Sequence, residues 1–319
     1  MIRSGSAALT CLLLAATPVA AQEKYPSRPI EIIVHYAPGG GTDIIMRQFA
    51  QIIEPMLGQK ILVVNRPGGG GILGVAAVTQ AKPDGYTLGG VANAPLTMVP
   101  HIQPAPYALT DYVPISLIDT VPTVMCVKAD FPANNGRELI EQIRSNPGKY
   151  TYGNDGVGAI IQLSFERIFL KSGAKARPVP FGGAGETLKN YLGGHVDMYG
   201  GAVTTILPYV KEGTTKCLLL TSADRIASLP QASGLTELGI PEAATLTWHG
   251  VIAPKGIAPD RLALLEQTLQ QAARSPKFRE YMESRDLKIV ASNGQDFRKL
   301  IDAEYVAMGQ VIKAIGLGK

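Results

Sequence analysis

Aromatic side chains are scarce in this chain: they make up 6% of its 319 residues, with a single Trp. Stacking platforms for bases or sugar rings are correspondingly few. An excess of one charge is also lacking. Thirty Lys and Arg oppose 26 Asp and Glu, a net +4 that is too diffuse to draw in a nucleic acid. Histidine occurs only as His35, His101, His195 and His249, none with an acidic or cysteine partner at metal-ligand spacing. No metal is expected. No Gly-x-Ser-x-Gly elbow offers an acyl-transfer nucleophile, and no set of residues assigns a base, an acid and a nucleophile together. There are no repeats or low-complexity tracts. Beyond the N-terminus no segment reaches the roughly 20 apolar residues that a membrane span needs.

The first 22 residues carry one charge, Arg3, followed by the apolar stretch Ala7 to Ala16 and the small-residue run Thr17-Pro18-Val19-Ala20-Ala21. This pattern reads as a secretory signal cleaved after Ala21. Cys11 lies inside the apolar stretch without a lipobox-like run, so no lipid anchor is expected. Removing residues 1–21 leaves 298, enough for two lobes of ordinary domain size. Cys126 and Cys217 remain. Export permits a disulfide between them. Both sit in apolar strand-like runs, however, and buried free thiols are the plainer expectation.

What the chain does have is two glycine-rich turns. Pro38-Gly39-Gly40-Gly41-Thr42-Asp43 stands between the strand-like run Ile30 to Tyr36 and a helical stripe through Ile44, Ile45, Phe49, Ile52 and Ile53. Tyr152-Gly153-Asn154-Asp155-Gly156-Val157-Gly158 precedes a second stripe through Ile161, Phe165, Ile168 and Phe169. A strand, a glycine turn and a helix start leave backbone N–H groups free beside the positive end of the helix dipole, which suits an anion. The first turn lacks the Lys-Ser/Thr of a phosphate-binding loop. Gly39 and Gly41 open a dinucleotide-like pattern, but Thr42 and Asp43 stand where its later glycine belongs, and the acid would repel a pyrophosphate. No cofactor is expected.

Strand-like and helical segments alternate elsewhere too. Ile61 to Val64 leads through Gly68 to Gly71 into a helical pattern, and Pro83-Asp84-Gly85 turns into a strand at Thr87. This rhythm indicates an α/β fold with mainly parallel sheets. Residues 100–114, polar and proline-rich, read as surface loop. Asn93 follows the Thr87 strand, where carboxyl-end loops line ligand clefts, and is a candidate contact; His101 reads as solvated. Thr204 follows the Tyr199 strand, where its hydroxyl can serve a ligand or cap the next helix. Asp43 reads first as an acid that fixes its turn, with ligand contact as the alternative. Trp248 fits a cleft wall or a packing role.

The motifs Tyr25-Pro26-Ser27-Arg28-Pro29-Ile30, Pro38 to Asp43, Asn65-Arg66-Pro67-Gly68-Gly69-Gly70-Gly71, Pro83-Asp84-Gly85-Tyr86-Thr87-Leu88 and Leu192-Gly193-Gly194-His195-Val196-Asp197, in this order, resemble the periplasmic receptors of tripartite tricarboxylate transporters, often called Bug proteins. Thr221-Ser222-Ala223 and Ala253-Pro254-Lys255-Gly256 extend the match over the whole mature chain. The resemblance implies a two-lobed type II periplasmic-binding-protein (Venus flytrap) fold with two crossing strands, Thr123 to Lys128 outgoing and Trp248 to Ala253 returning. The first lobe would hold residues 22–125 and 248–319, and the second 126–247. A small carboxylate would lie between them, gripped by Gly40, Gly41 and Thr42 of the first turn and by Gly156, Val157 and Gly158 of the second, with Asn154 and Ala159 beside them. Membrane transporter subunits are the implied partners, the periplasm the location and a monomer the expected state. No catalysis is implied.

The chain departs from the family pattern at the second turn. Asp155 replaces a small residue, Ala159 takes a serine position and Gln162 a histidine position, and the strand after Met198 ends Tyr199-Gly200-Gly201. Asp155 reads first as pointing to solvent. Facing the cleft, it disfavours a second ligand carboxylate and favours an amine or amide. A ligand-sensing subunit is the alternative role on this fold, and a secreted α/β hydrolase, lacking a visible nucleophile–base pair, a more distant one.

Overall fold

The computed structural model describes residues 24–182, 184–284 and 287–318; the expected signal segment, residues 1–21, lies outside the described residues. The apolar runs form strands and the helical stripes cover them. β1 (Ile30–Val34), β2 (Ile61–Asn65) and β3 (Thr87–Ala92) run parallel, with α1 (Gly41–Leu57) and α2 (Ile72–Thr79) between them. Two single-turn helices follow, α3 (Ala94–Thr97) and α4 (Val99–Ile102), and then the long strand β4 (Tyr112–Val121). The loop expected over 100–114 therefore contains part of α4 and the start of β4. Pro100 is accommodated in the first turn of α4, and Pro114 stands where β4 pairs with one neighbour only, an edge that tolerates a missing N–H.

The middle of the chain builds a second unit: β5 (Thr123–Lys128), α5 (Gly136–Ser145), β6 (Thr151–Asn154), α6 (Ile160–Ser172), β7 (Arg177–Pro180), α7 (Ala184–Leu192), β8 (Met198–Ala202), α8 (Val203–Lys211) and β9 (Thr215–Leu220). The remainder, β10 (Thr247–Pro254), α9 (Pro259–Ala273), α10 (Pro276–Glu283), β11 (Lys288–Ile289) and α11 (Gly294–Ala314), returns to the first.

The first sheet has the order β11-β4-β10-β3-β1-β2 and the second β7-β6-β8-β5-β9. Both are mixed, where mainly parallel sheets were expected. β10 is antiparallel to β3 and β4, and β5 is antiparallel to β8 and β9. The reason is topological. β5 and β10 are the strands by which the chain enters each unit from the other, so they run against the helix-connected strands beside them. The fold is α/β and two-lobed, crossed once at Pro122 and once by residues 221–246. The two crossings are fastened together: the Thr123 N–H donates to Thr221 Oγ1 at 3.0 Å, and the Thr221 N–H returns to the Thr123 carbonyl at 3.0 Å.

Both faces of each sheet are covered, so the strands are apolar on both sides. In β5, Val124 and Cys126 face a cluster with Tyr199, Ile206 and Leu229, while Met125 and Val127 face Leu139, Phe165 and Phe169. Ile32, Met46 and Phe49 form the core on one side of the first sheet, and Trp248, Phe297 and Ile301 close the other. A further cluster joins the units: Leu163 of α6 packs with Met98, Val99, Met308 and Ile312.

Cys126 and Cys217 are bridged, which corrects the expectation of free thiols. They stand opposite each other on paired antiparallel strands, with Cα atoms 3.9 Å apart. Their positions in two apolar runs were visible in the sequence. That those two runs pair, in the register that opposes these residues, follows only from the order of the sheet.

Candidate anion-binding cleft

The first turn runs from Tyr36 through Ala37 to Gly40. Gly39 adopts φ +82°, a left-handed conformation that favours glycine, and Gly40 caps α1 in extended backbone. No side chain caps α1, so the N–H groups of Gly41, Thr42 and Asp43 open the helix without an intrahelical acceptor. Asp43 is buried and serves the turn. Its Oδ2 accepts the Gly39 N–H at 2.9 Å, and its Oδ1 accepts Arg47 Nε at 3.0 Å and Asn65 Nδ2 at 2.9 Å. Burial alone would push its pKa up. The donors from Arg47, Gly39 and Asn65 outweigh it and hold the carboxyl below its ordinary range.

The second turn uses two of its own amides. The Gly156 N–H donates to Asn154 Oδ1 at 3.1 Å, and the Gly158 N–H donates to Gln162 Oε1 at 2.7 Å. The Ala159 N–H bonds the Gly156 carbonyl at 3.3 Å. These three N–H groups are thus engaged inside the turn, which differs from the anion contact implied for Gly156 and Gly158. Val157, 63% exposed, forms the tip. The open donors lie one step further on. α6 has no side-chain cap and its first bond is Leu163 N–H to the Ala159 carbonyl, so the amides of Ile160, Ile161 and Gln162 face out of the helix start. α5, α10 and α11 carry side-chain caps at Asn135, Ser275 and Asn293, whereas α2, α8 and α9, like α1 and α6, carry none.

The second turn approaches the first unit, and Asp155 on it comes within electrostatic reach of Tyr36, where the first turn begins; the space between them is the gap of the candidate cleft. A Cβ on Gly158, which adopts φ +71°, would lie 2.4 Å from Cδ1 of Ile102 in α4, so the second turn abuts the first unit. Asp155 lies within electrostatic reach of Tyr36, at the end of β1, and of Tyr199 on β8. Burial raises both phenols to about 12, and the Asp155 charge adds to it. Asp155 itself is pushed up to about 6 by burial, offset only by its own backbone N–H. Its Oδ1 is buried without a hydrogen-bond partner, and so is Nδ2 of the adjacent, fully buried Asn154. Asp155 therefore lies between the second turn and the first unit, not out in solvent.

Other candidates have structural work. Asn93 Nδ2 donates to the Leu246 carbonyl and to Glu304 Oε1, both at 2.9 Å. Glu304 also accepts Trp248 Nε1 at 2.6 Å and Thr97 Oγ1 at 3.2 Å; burial raises its pKa while these donors oppose the rise. Asn93 and Trp248 thus bind α11 to the second crossing, a role that needs Glu304, more than two hundred residues away from Asn93 in sequence. His101 contacts the Tyr305 carbonyl at 2.9 Å instead of standing in solvent. Thr204 lies in the first turn of α8, and its side chain is outside the described residues. His249 and Asp119, joined at 2.8 Å, are buried at a bulge between β10 and β4, where Asp119 Oδ1 also accepts the His249 N–H. Among the described residues no group of His, Cys, Asp and Glu is arranged to hold a metal.

Two mixed α/β units, two fastened crossings and a glycine turn before an uncapped helix in each unit define the class of two-lobed periplasmic solute-binding proteins. The chain belongs to the tripartite tricarboxylate transporter receptor family, whose model matches residues 45–317. It is 32% identical to the protein BugT of Bordetella pertussis over 94% of this chain and 93% of BugT. It is 33% identical to a protein of the gbd 5' region of Cupriavidus necator over 99% of this chain and 97% of that one. Among solved structures, the periplasmic binding protein BugD matches at a TM-score of 0.75 and 29% identity, covering 92% of this chain and all of that one. A TctC solute-binding protein from Polaromonas matches at 0.80 and 28%, covering 91% and 99%.

Proposed function

We propose that this protein is an exported receptor that captures a small carboxylate between its two lobes and delivers it to a membrane transporter. One observation carries the reading: two uncapped helix starts, α1 from one unit and α6 from the other, follow turns whose residues Tyr36 and Asp155 lie within electrostatic reach of each other. Each offers first-turn N–H groups and the positive end of a dipole to an anion. A ligand touching both stabilises the closed form over the open one, because its contacts bridge the lobes. The lobes are taken as residues 22–122 with 247–319, and 123–246, a cut moved from the expected 125/126 and 247/248 so that β5 and β10 stay whole in their sheets, and the chain as a monomer released by cleavage after Ala21. Membership of a transporter receptor family supports delivery to membrane subunits.

The test is calorimetric and thermal-shift titration of the mature chain with C3 to C6 carboxylic acids. A ligand at 100 times its Kd stabilises the fold by about 2.7 kcal/mol, a readily measured rise in Tm. Replacing Gly41 by Pro, which removes one α1 amide, is expected to weaken such binding at least tenfold. If no carboxylate shifts Tm and none gives heat of binding, the reading is wrong.

A further inference from the structure

The gap holds an acid that an anion site does not need. Asp155 sits on the turn leading into α6, beside the amides that would receive a carboxylate, and one of its oxygens is buried with nothing bonded to it. No cation offsets its charge; only its own backbone N–H does. The groups facing it from the elements packed around it are the phenols of Tyr36 and Tyr199, both held neutral. A carboxylate buried this way without a partner is destabilising on its own. Asn154, next along the chain, presents the complementary defect: a buried amide nitrogen with hydrogens to donate and no acceptor. An unmet acceptor and an unmet donor thus stand on adjacent residues of the second turn.

Resting on the carboxylate-binding reading above, we infer that the ligand is a nitrogen-bearing acid, whose carboxylate meets the helix starts and whose other end donates N–H hydrogen bonds to Asp155. A second carboxylate there would face the Asp155 charge across a low-dielectric gap, and like charges so placed exclude each other. An ammonium end forms a charge-assisted bond with Asp155 alone. A primary amide also offers a carbonyl to Asn154 Nδ2. The donor end is common to both, and the arms of the experiment tell them apart.

The experiment titrates matched triplets of equal chain length, three to six carbons: an α,ω-dicarboxylate, its monoamide and the ω-amino acid. Each is measured by calorimetry on the parent protein and on Asp155→Asn and Asn154→Ser, with Tm recorded for both variants. The parent is expected to bind a nitrogen-bearing member at least tenfold more tightly than its matched dicarboxylate. Asp155→Asn is expected to remove that preference, by weakening the nitrogen-bearing acid and strengthening the dicarboxylate. Asn154→Ser should weaken the monoamide and leave the amino acid within about twofold if the native end is an ammonium. A parent that binds dicarboxylates best, or a preference unchanged in a folded Asp155→Asn, overturns the inference while leaving carboxylate capture intact. If no member of any triplet binds, carboxylate capture itself fails, and this inference with it.

Discussion

Asp155 makes a pH prediction whose sign is fixed by its environment. Its pKa is raised from 3.8 to about 6, so between about pH 4 and pH 6 the folded protein holds a proton that the unfolded chain releases. Stability of the ligand-free protein therefore falls as pH rises through that window, and the loss is complete above about pH 6. Melting curves from pH 4 to 7 should show this slope, and Asp155→Asn should flatten it. Gly158 supports a second prediction at the same scale. Gly158→Val places a β-branched residue at φ +71° and drives it into Ile102 of the facing unit. Left-handed backbone costs such a residue about 1–2 kcal/mol, while the clash lies where the lobes approach. Binding should fall more than tenfold and Tm by only a few degrees; equal losses in both would make the glycine purely structural. The turns themselves were legible because glycine between a strand and a helix has few other uses. The bond from Gly158 to Gln162 was not: Gln162 is the third residue of α6, and its side chain passes the N-cap Ala159 to reach the residue before it. Nor could sequence tell which way Asp155 points, because that depends on Tyr36, more than a hundred residues earlier.

At the scale of elements, local pattern carried well and pairing did not. Ser275 with Pro276 opens α10 as its sequence indicates, and the side chain accepts the Phe278 N–H at 3.3 Å. β4 escaped notice because prolines hide its first residues, and β7, four residues of Arg-Pro-Val-Pro, has too little period to register. The bridge between β5 and β9 depends on which strands are neighbours, a property no single strand states. It closes a stretch with a sequence separation of 91. Constraining the unfolded chain over a loop of that order stabilises by about 2–4 kcal/mol. Melting in the presence of a thiol reductant, or of Cys126→Ala with Cys217→Ala, should lower stability by that amount. An unchanged Tm would mean that the bridge does not hold the second unit together.

For the whole molecule, the alternation of elements indicated an α/β fold, and the two-lobed plan came from the family that the motif order resembles. The sequence could not give the strand order, because β10 must be inserted between β3 and β4 by a chain that has already left the unit and come back. Small-angle scattering of the mature protein should show a monomer whose radius of gyration contracts on ligand saturation. An identical profile with and without ligand would rule out closure.

α6 has a mechanical consequence. Its first residues carry the open amides at the gap, and two turns along, Arg167 grips the second crossing through the carbonyls of Glu242 and Ala244 and the Thr245 hydroxyl. At 1.5 Å per residue, about 10 Å of stiff rod separates Ile160 from Arg167. A tug at one end is felt at the other. On the proposed reading, the solute holds one end of this lever and the pivot of the lobes its middle, and weakening the Arg167 anchor should shorten the dwell time of a solute that never touches Arg167.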